Sequence, residues 1–171
     1  MKNIIFLIAI VSVLNFSCAK DDSLDPRPDL VAGQFVTLQI TNGRIDANNL
    51  STSGFEGILE VPAKNVDKYE MYVARRNGFA FVSDYVLLNT FTSFPAKFKV
   101  TSADVQAVGI PALVDSDNLR FFGRSYKNGV MTDFNSLSGA LRASQAQRQA
   151  YRFYTDVTTR PNEKLENQYT W

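Results

Sequence analysis

Apolar side chains return at every second position in one short segment after another of this 171-residue chain. Val36, Leu38 and Ile40 alternate with Thr37 and Gln39. Phe55, Gly57, Leu59 and Val61 alternate with Glu56, Ile58 and Glu60, and Pro62 closes the run. Tyr69, Met71 and Val73 alternate with Lys68, Glu70, Tyr72 and Ala74. Successive side chains of a strand point to opposite faces, so a period of two predicts strands with one buried and one outward face. Asn77-Gly78 ends the third run, and Asn-Gly is the strongest short hairpin signal, because both central residues of a type I′ turn need positive φ.

The pattern continues to residue 158. The returning strand is expected over residues 79–91, Ser93-Phe94-Pro95 breaks the chain, and residues 97–100 form a short strand. Thr101-Ser102-Ala103-Asp104 has capping-box form, Val105 and Val108 lie one helical turn apart, and Gly109 is the stop, which predicts one short helix crossing between sheets. Asp115-Ser116-Asp117-Asn118 leads into a strand over 119–126, which Asn128-Gly129 turns into 130–134. Residues 136–148 are polar and read as a long loop or a frayed helix; 149–157 is the last strand. Residues 42–54, rich in Asn, Ser, Thr and Gly, read as a long loop. Seven or eight short strands with turns at such spacing predict an all-β, antiparallel sandwich of immunoglobulin or fibronectin type with one short helix.

The start of the chain has a different character. Lys2 precedes a run of 11 residues, 4–14, apolar but for Ser12, which spans about 16 Å as a helix, roughly half a bilayer core. That is a secretory signal rather than a stable anchor. Ser17 then precedes Cys18, the one cysteine of the chain. A signal ending on a lone cysteine before polar residues resembles a bacterial lipoprotein signal, although Asn15 and Phe16 depart from the stricter pattern. The resemblance implies cleavage before Cys18, a diacylglyceryl group on its sulfur and an acylated amine; the alternative is cleavage nearby and a free Cys18. Lys20-Asp21-Asp22 resembles the signal that sends Bacteroidota lipoproteins to the outer face of the outer membrane, with the periplasmic leaflet as the alternative. Asp22-Ser23-Leu24 fits the Bacteroidota O-glycosylation pattern at Ser23. The expected organisation is a signal peptide (1–17), a lipidated tether stiffened by Pro26 and Pro28 (18–33), a β-sandwich (34–158) and a polar tail (159–171) ending in Tyr169 and Trp171.

Removing residues 1–17 leaves 154, enough to bury a core without disulfides or metal. It also removes Lys2, so the 18 Lys and Arg fall to 17, balancing 17 Asp and Glu. That balance argues against nucleic acid as a partner, which requires a concentrated basic excess, and against electrostatic membrane docking. The acyl chains must hold the protein to the membrane, at about 0.8 kcal/mol per buried methylene.

A wider resemblance follows from Tyr85-Val86-Leu87, Thr92-Ser93-Phe94-Pro95, the segment from Thr101 to Gly109-Ile110, and Leu119-Arg120-Phe121. This succession is similar to the fibronectin-like N-terminal domains of SusE/SusF-type surface lipoproteins of Bacteroidota. The similarity implies a place beside a TonB-dependent barrel and its SusD-like lid, capturing or passing on glycans. The larger relatives carry further carbohydrate-binding modules, which places glycan capture by this chain in question.

No histidine is present, so the commonest general base and metal ligand is missing. No serine sits in a Gly-x-Ser-x-Gly elbow, and no glycine-rich phosphate loop occurs. Glu56 and Glu60 lie roughly 13 Å apart along one strand face, too far for a glycosidase pair. The acidic loop 115–118 lacks the glycine and distal glutamate of an EF-hand. Neither an enzyme nor a cofactor is expected. The surface that does stand out comes from the strand 119–126, which puts Arg120, Phe122, Arg124 and Tyr126 on one side, and the last strand, which puts Arg152 and Tyr154 on one side. These strands neighbour each other in an immunoglobulin-like sandwich, so the two sets can share an outer face. Rings there can stack on sugar or peptide while arginine supplies forked donors. The competing reading is ordinary cross-strand packing of arginine stems on rings.

Overall fold

The computed structural model describes residues 34–137, 139–143 and 150–159, within the compact unit Ala32–Trp171. The other unit, Met1–Val31, lies outside the described residues, and with it Cys18, Lys20, Asp21, Asp22 and Ser23, as does the tail from residue 160. Two sheets face each other. The smaller is built from β1 (Thr37–Asn42), β3 (Gly54–Glu60) and β7 (Ala96–Thr101), all antiparallel, with β3 in the middle. The larger is centred on β8 (Asp117–Lys127) and β4 (Lys68–Asn77), antiparallel over ten residue pairs. Beyond β4 lie β5 (Ala80–Phe81) and β6 (Val86–Phe91); beyond β8 lie β10 (Arg152–Thr158) and β9 (Val130–Asp133). The expected all-β sandwich is therefore the observed one.

Period-two burial builds it. Along β8 the buried positions are Asp117, Leu119, Phe121, Gly123 and Ser125, and along β10 they are Phe153, Thr155 and Val157. Phe55 of the small sheet packs against Phe121 and Phe153 of the large one, with ring centroids 5.3 and 5.8 Å away, while those two stack on each other at 4.7 Å. Such ring contacts add to the transfer free energy of the buried area. The helix α1 (Ser102–Ala107) carries the chain from the small sheet to the large one. Both reciprocal bonds of its capping box are made between Thr101 and Asp104, and Gly109 follows with φ +87°.

Three expectations change. The 42–54 stretch is not all loop. It holds β2 (Arg44–Asp46), which runs parallel to β10 and buries Ile45 completely, so the larger sheet is mixed. One apolar residue between Arg44 and Asp46 leaves no alternation to read. The stretch expected as one strand over 79–91 is broken into β5 and β6. The first hairpin turns on Gly78-Phe79 rather than Asn77-Gly78: Asn77 is held in β4, its amide Nδ2 donating to Asp117 Oδ1 at 3.1 Å, and Gly78 alone takes positive φ, +57°. Asn128 and Gly129 both have positive φ, as a type I′ turn needs. In the 136–148 stretch, the described part holds the end of a 3-10 turn (Phe134–Ser136) and the short helix α2 (Gly139–Ala143).

Candidate functional site

The outward faces of β8 and β10 meet as expected. Phe122 pairs directly with Arg152, and Arg120 with Tyr154. The six predicted residues do not act as one group, however. Arg120 lies over the Tyr154 ring at 4.6 Å, a self-contained cross-strand stack. Tyr126 is drawn into a cluster around Glu70: its hydroxyl donates to Oε2 at 2.7 Å, the Tyr72 hydroxyl donates to the same oxygen at 2.9 Å, and Lys68 Nζ donates to Oε1 at 2.8 Å while sitting 4.0 Å over the Tyr126 ring. The Lys68 bond holds the Glu70 carboxyl below its ordinary range, with the two phenols helping. Partial burial and the Glu70 bond push the Tyr126 phenol up.

Phe122, Arg124 and Arg152 remain, and they line one hollow of about 360 Å³. Its position follows from the topology. On one edge β8 pairs with β10 up to Phe122 and with β9 from Arg124 onward, so the partner strand changes across Gly123. At that junction Asp133 ends β9 and caps the 3-10 turn, accepting from the backbone N–H groups of Asn135 and Ser136 at 2.9 Å each. Burial works to raise the Asp133 carboxyl, but the bonds from Ser136 and Asn135 outweigh it and leave it lowered. The turn brings Phe134 and Asn135 to the hollow. Arg142 fastens the turn by donating to Leu137 O at 2.9 Å and Asn135 O at 2.6 Å.

The opposite wall is Tyr72 of β4 and Tyr85, just before β6. The register between β4 and β6 slips at Met71/Tyr72, where Tyr72 faces Leu87 and Met71 faces Asn89. Such bulges commonly re-aim side chains beside functional sites. Phe122 meets Tyr85 at 6.2 Å and Tyr72 at 6.5 Å, edge-on or tilted, and Phe81 continues the chain of rings at 5.9 Å from Tyr85. The result is a concave aromatic wall. Tyr72, Tyr85, Phe134 and Asn135 were not predictable as members. Tyr72 falls on the outward phase of its strand, but alternation does not say which strand lies on the far side of β8.

The arginines are supported from ring faces. Arg124 lies 4.8 Å over Tyr72 and 5.5 Å over Phe122, and Arg152 lies 5.3 Å over Phe134. Arg124 donates to the Tyr72 hydroxyl at 3.3 Å, and its Nε is buried without an acceptor. Among the described residues, neither arginine forms an ion pair. The site therefore combines ring faces with two guanidinium groups, Arg124 standing opposite Glu70 and Asp133 in the ladder and helping by its charge to lower the Asp133 carboxyl, and Arg152 opposite Phe122.

A larger hollow of about 540 Å³ opens elsewhere, lined by apolar residues such as Val61, Val66 and Phe94 together with Glu60 and Lys64. Its described lining holds one aromatic ring, Phe94, and no arginine, and the smaller cleft is the better candidate on chemistry. The acidic loop is committed to structure: Asp117 forms an ion pair with Arg75, 2.8 Å from its Nε, and accepts from Val114 N at 2.7 Å, and Asp115 accepts from Thr159 N at 3.0 Å. Among the described residues no cluster of three His, Cys, Asp or Glu could hold a metal, and no helix is long and apolar enough to cross a membrane. No family model, curated protein or solved structure matches the chain.

Proposed function

We propose that this chain is a non-catalytic binding module: a surface-exposed outer-membrane lipoprotein anchored through Cys18 and accessory to a TonB-dependent, SusC/SusD-like nutrient importer. Its cleft takes up part of the imported glycan or peptide, or a loop of the importer. The observation that carries the reading is the aromatic hollow between β4, β6 and β8, with Arg124 and Arg152 on its wall. Ring faces and forked donors recognise ligands without any bond-breaking group. The leader sequence and the Lys20-Asp21-Asp22 signal support the location.

The test joins location to contact. Intact-mass spectrometry of the native protein should show acyl chains on residue 18 and no leader. Glycan and peptide arrays, and a pull-down with the lipidated protein, should give a ligand or a TonB-dependent barrel, lost on Tyr85→Ala/Phe122→Ala. An unmodified thiol removes the location; blank arrays with no barrel remove the function.

A second reading is a structural or secretion-associated envelope lipoprotein without a small ligand. It is favoured by the β4–β5 hairpin, where Phe79 is 99 % and Phe81 56 % exposed. Exposed apolar clusters of that kind mark protein contacts. Recovery of an envelope complex that depends on Phe79 and Phe81, with blank arrays, would select it.

A further inference from the structure

We propose that the ligand of the cleft is an acidic sugar, a pyranose ring carrying a carboxylate of the hexuronic-acid type. The proposal rests on the cleft being the binding site, and it specifies what that site accepts.

Charge comes first. Among the described residues, the cleft lining contains Arg124 and Arg152 and no acidic residue. The two carboxylates opposite Arg124 in the ladder have donors of their own, Glu70 from Lys68, Tyr72 and Tyr126, and Asp133 Oδ1 from the N–H groups of Asn135 and Ser136 and the Ser136 hydroxyl; Asp133 also feels the Arg124 charge, so Arg152 is the arginine with no carboxylate opposite it. Both guanidinium groups rest on ring faces, Arg124 on Tyr72 and Arg152 on Phe134. A ring supports the flat side of a guanidinium and leaves the in-plane N–H edges to an acceptor. Bidentate geometry suits a carboxylate better than a neutral hydroxyl.

The shape of the rest of the ligand follows from the floor. It is made by outward side chains of β4 and β8, strands in the middle of the sheet whose backbone groups pair with each other over ten residue pairs. Extended peptides are commonly held by main-chain hydrogen bonds at a sheet edge, whereas between β4 and β8 these groups are taken up by the ladder. The floor offers Phe122, Tyr72 and Tyr85, three tilted rings that fit the C–H face of a pyranose, and the side chain of Asn135. At about 360 Å³ the hollow lies near the small end of the roughly 300–1,000 Å³ of small-molecule sites. It suits a terminal sugar or a short oligomer.

The full mature chain with Cys18→Ser, residues 18–171, can be titrated by calorimetry with di- and trigalacturonate, their methyl esters, neutral galacto-oligosaccharides and an Asp-Phe-rich peptide. The expected result is galacturonate binding that weakens with added salt, with the esters about tenfold weaker or more, as for loss of a charge-assisted bond. Arg152→Leu should weaken galacturonate by a similar factor, Arg152→Lys by less, and neither should change the melting temperature. Equal binding of acid and ester, or an Arg152→Leu variant that binds galacturonate as the parent does, overturns the acidic assignment and leaves the cleft reading standing. Tighter, arginine-dependent binding of the peptide overturns the sugar. No binding by any glycan or peptide overturns both.

Discussion

Gly123 shows how one residue sets both core and surface. It faces inward on β8, where a Cβ would collide with the Tyr69 hydroxyl and the Ala150 carbonyl. The Tyr69 hydroxyl donates to that carbonyl across the empty space. Neither neighbour can yield, since one is backbone and the other a fully buried ring. Gly123→Ala should therefore cost about 2–3 kcal/mol of overpacking, read as a shift in the urea midpoint; a loss below 0.5 kcal/mol would show the ring has room to move. The second buried phenol makes the core sensitive to alkali. Burial pushes the Tyr151 phenol from 10 up to about 12, and burial raises Tyr69 well above its ordinary value too. The folded form keeps these protons to higher pH than the unfolded chain. The Tyr151 contribution is thus full below about pH 10 and lost as pH rises through 12, and Tyr69, raised in the same direction, adds to the loss in alkali. Tyr151→Phe should cost about 1 kcal/mol at pH 7, through the lost 2.7 Å contact with Ser125. It should also flatten the fall of stability between pH 10 and 12, measured by urea unfolding across that range.

At the scale of elements, a buried ion pair joins β4 to the first residue of β8, and both of its members also hold the loop before β8. Arg75 Nε lies 2.8 Å from Asp117 Oδ2, Arg75 also donates to Ala112 O at 2.7 Å, and Asp117 accepts from Val114 N. Removing one partner leaves the other charge buried and unpaired. Asp117→Ala should cost about 3–5 kcal/mol, and Arg75→Met/Asp117→Ala should cost less than the sum of the two single changes. Strict additivity in chemical denaturation would mean the pair is not coupled. This scale also separates what could be read from the sequence from what could not. Strands announced by alternation and a turn signal, such as Phe55 to Val61, were legible because half-burial writes a period of two into the residues. So were the Thr101–Asp104 capping box and the outward phase of Arg120, Phe122, Arg124 and Arg152. The strand β2 was not, because its single buried side chain, Ile45, has no periodic neighbours. The cleft was only half legible. Its β8 and β10 members share a phase, but Phe134 reaches it through a turn capped by Asp133, and Tyr72 and Tyr85 through strand order.

For the whole molecule, the question is whether the two sheets stand or fall together. Phe55 sits where they meet, fully buried, touching Phe98 of its own sheet at 5.8 Å and both Phe121 and Phe153 of the other. Deleting it removes a large apolar surface from both sides and leaves a void that the stacked pair Phe121–Phe153 cannot close without unstacking. Phe55→Ala should cost about 3–5 kcal/mol and lower the melting temperature of both sheets in one transition, with far-ultraviolet dichroism and tyrosine fluorescence superimposable. Tyr154→Ala, outward and 54 % exposed, removes comparable ring area yet should stay within about 1 kcal/mol, since its lost partner is a single Arg120 stack. The contrast separates the molecule's two sets of aromatic rings: those between the sheets hold the fold, and those on the open face of β4 and β8 contribute little to it, as the proposed binding role requires. Two separate transitions in Phe55→Ala would show that the sheets are independently stable, and the cleft, none of whose described lining comes from the smaller sheet, would then survive loss of that sheet.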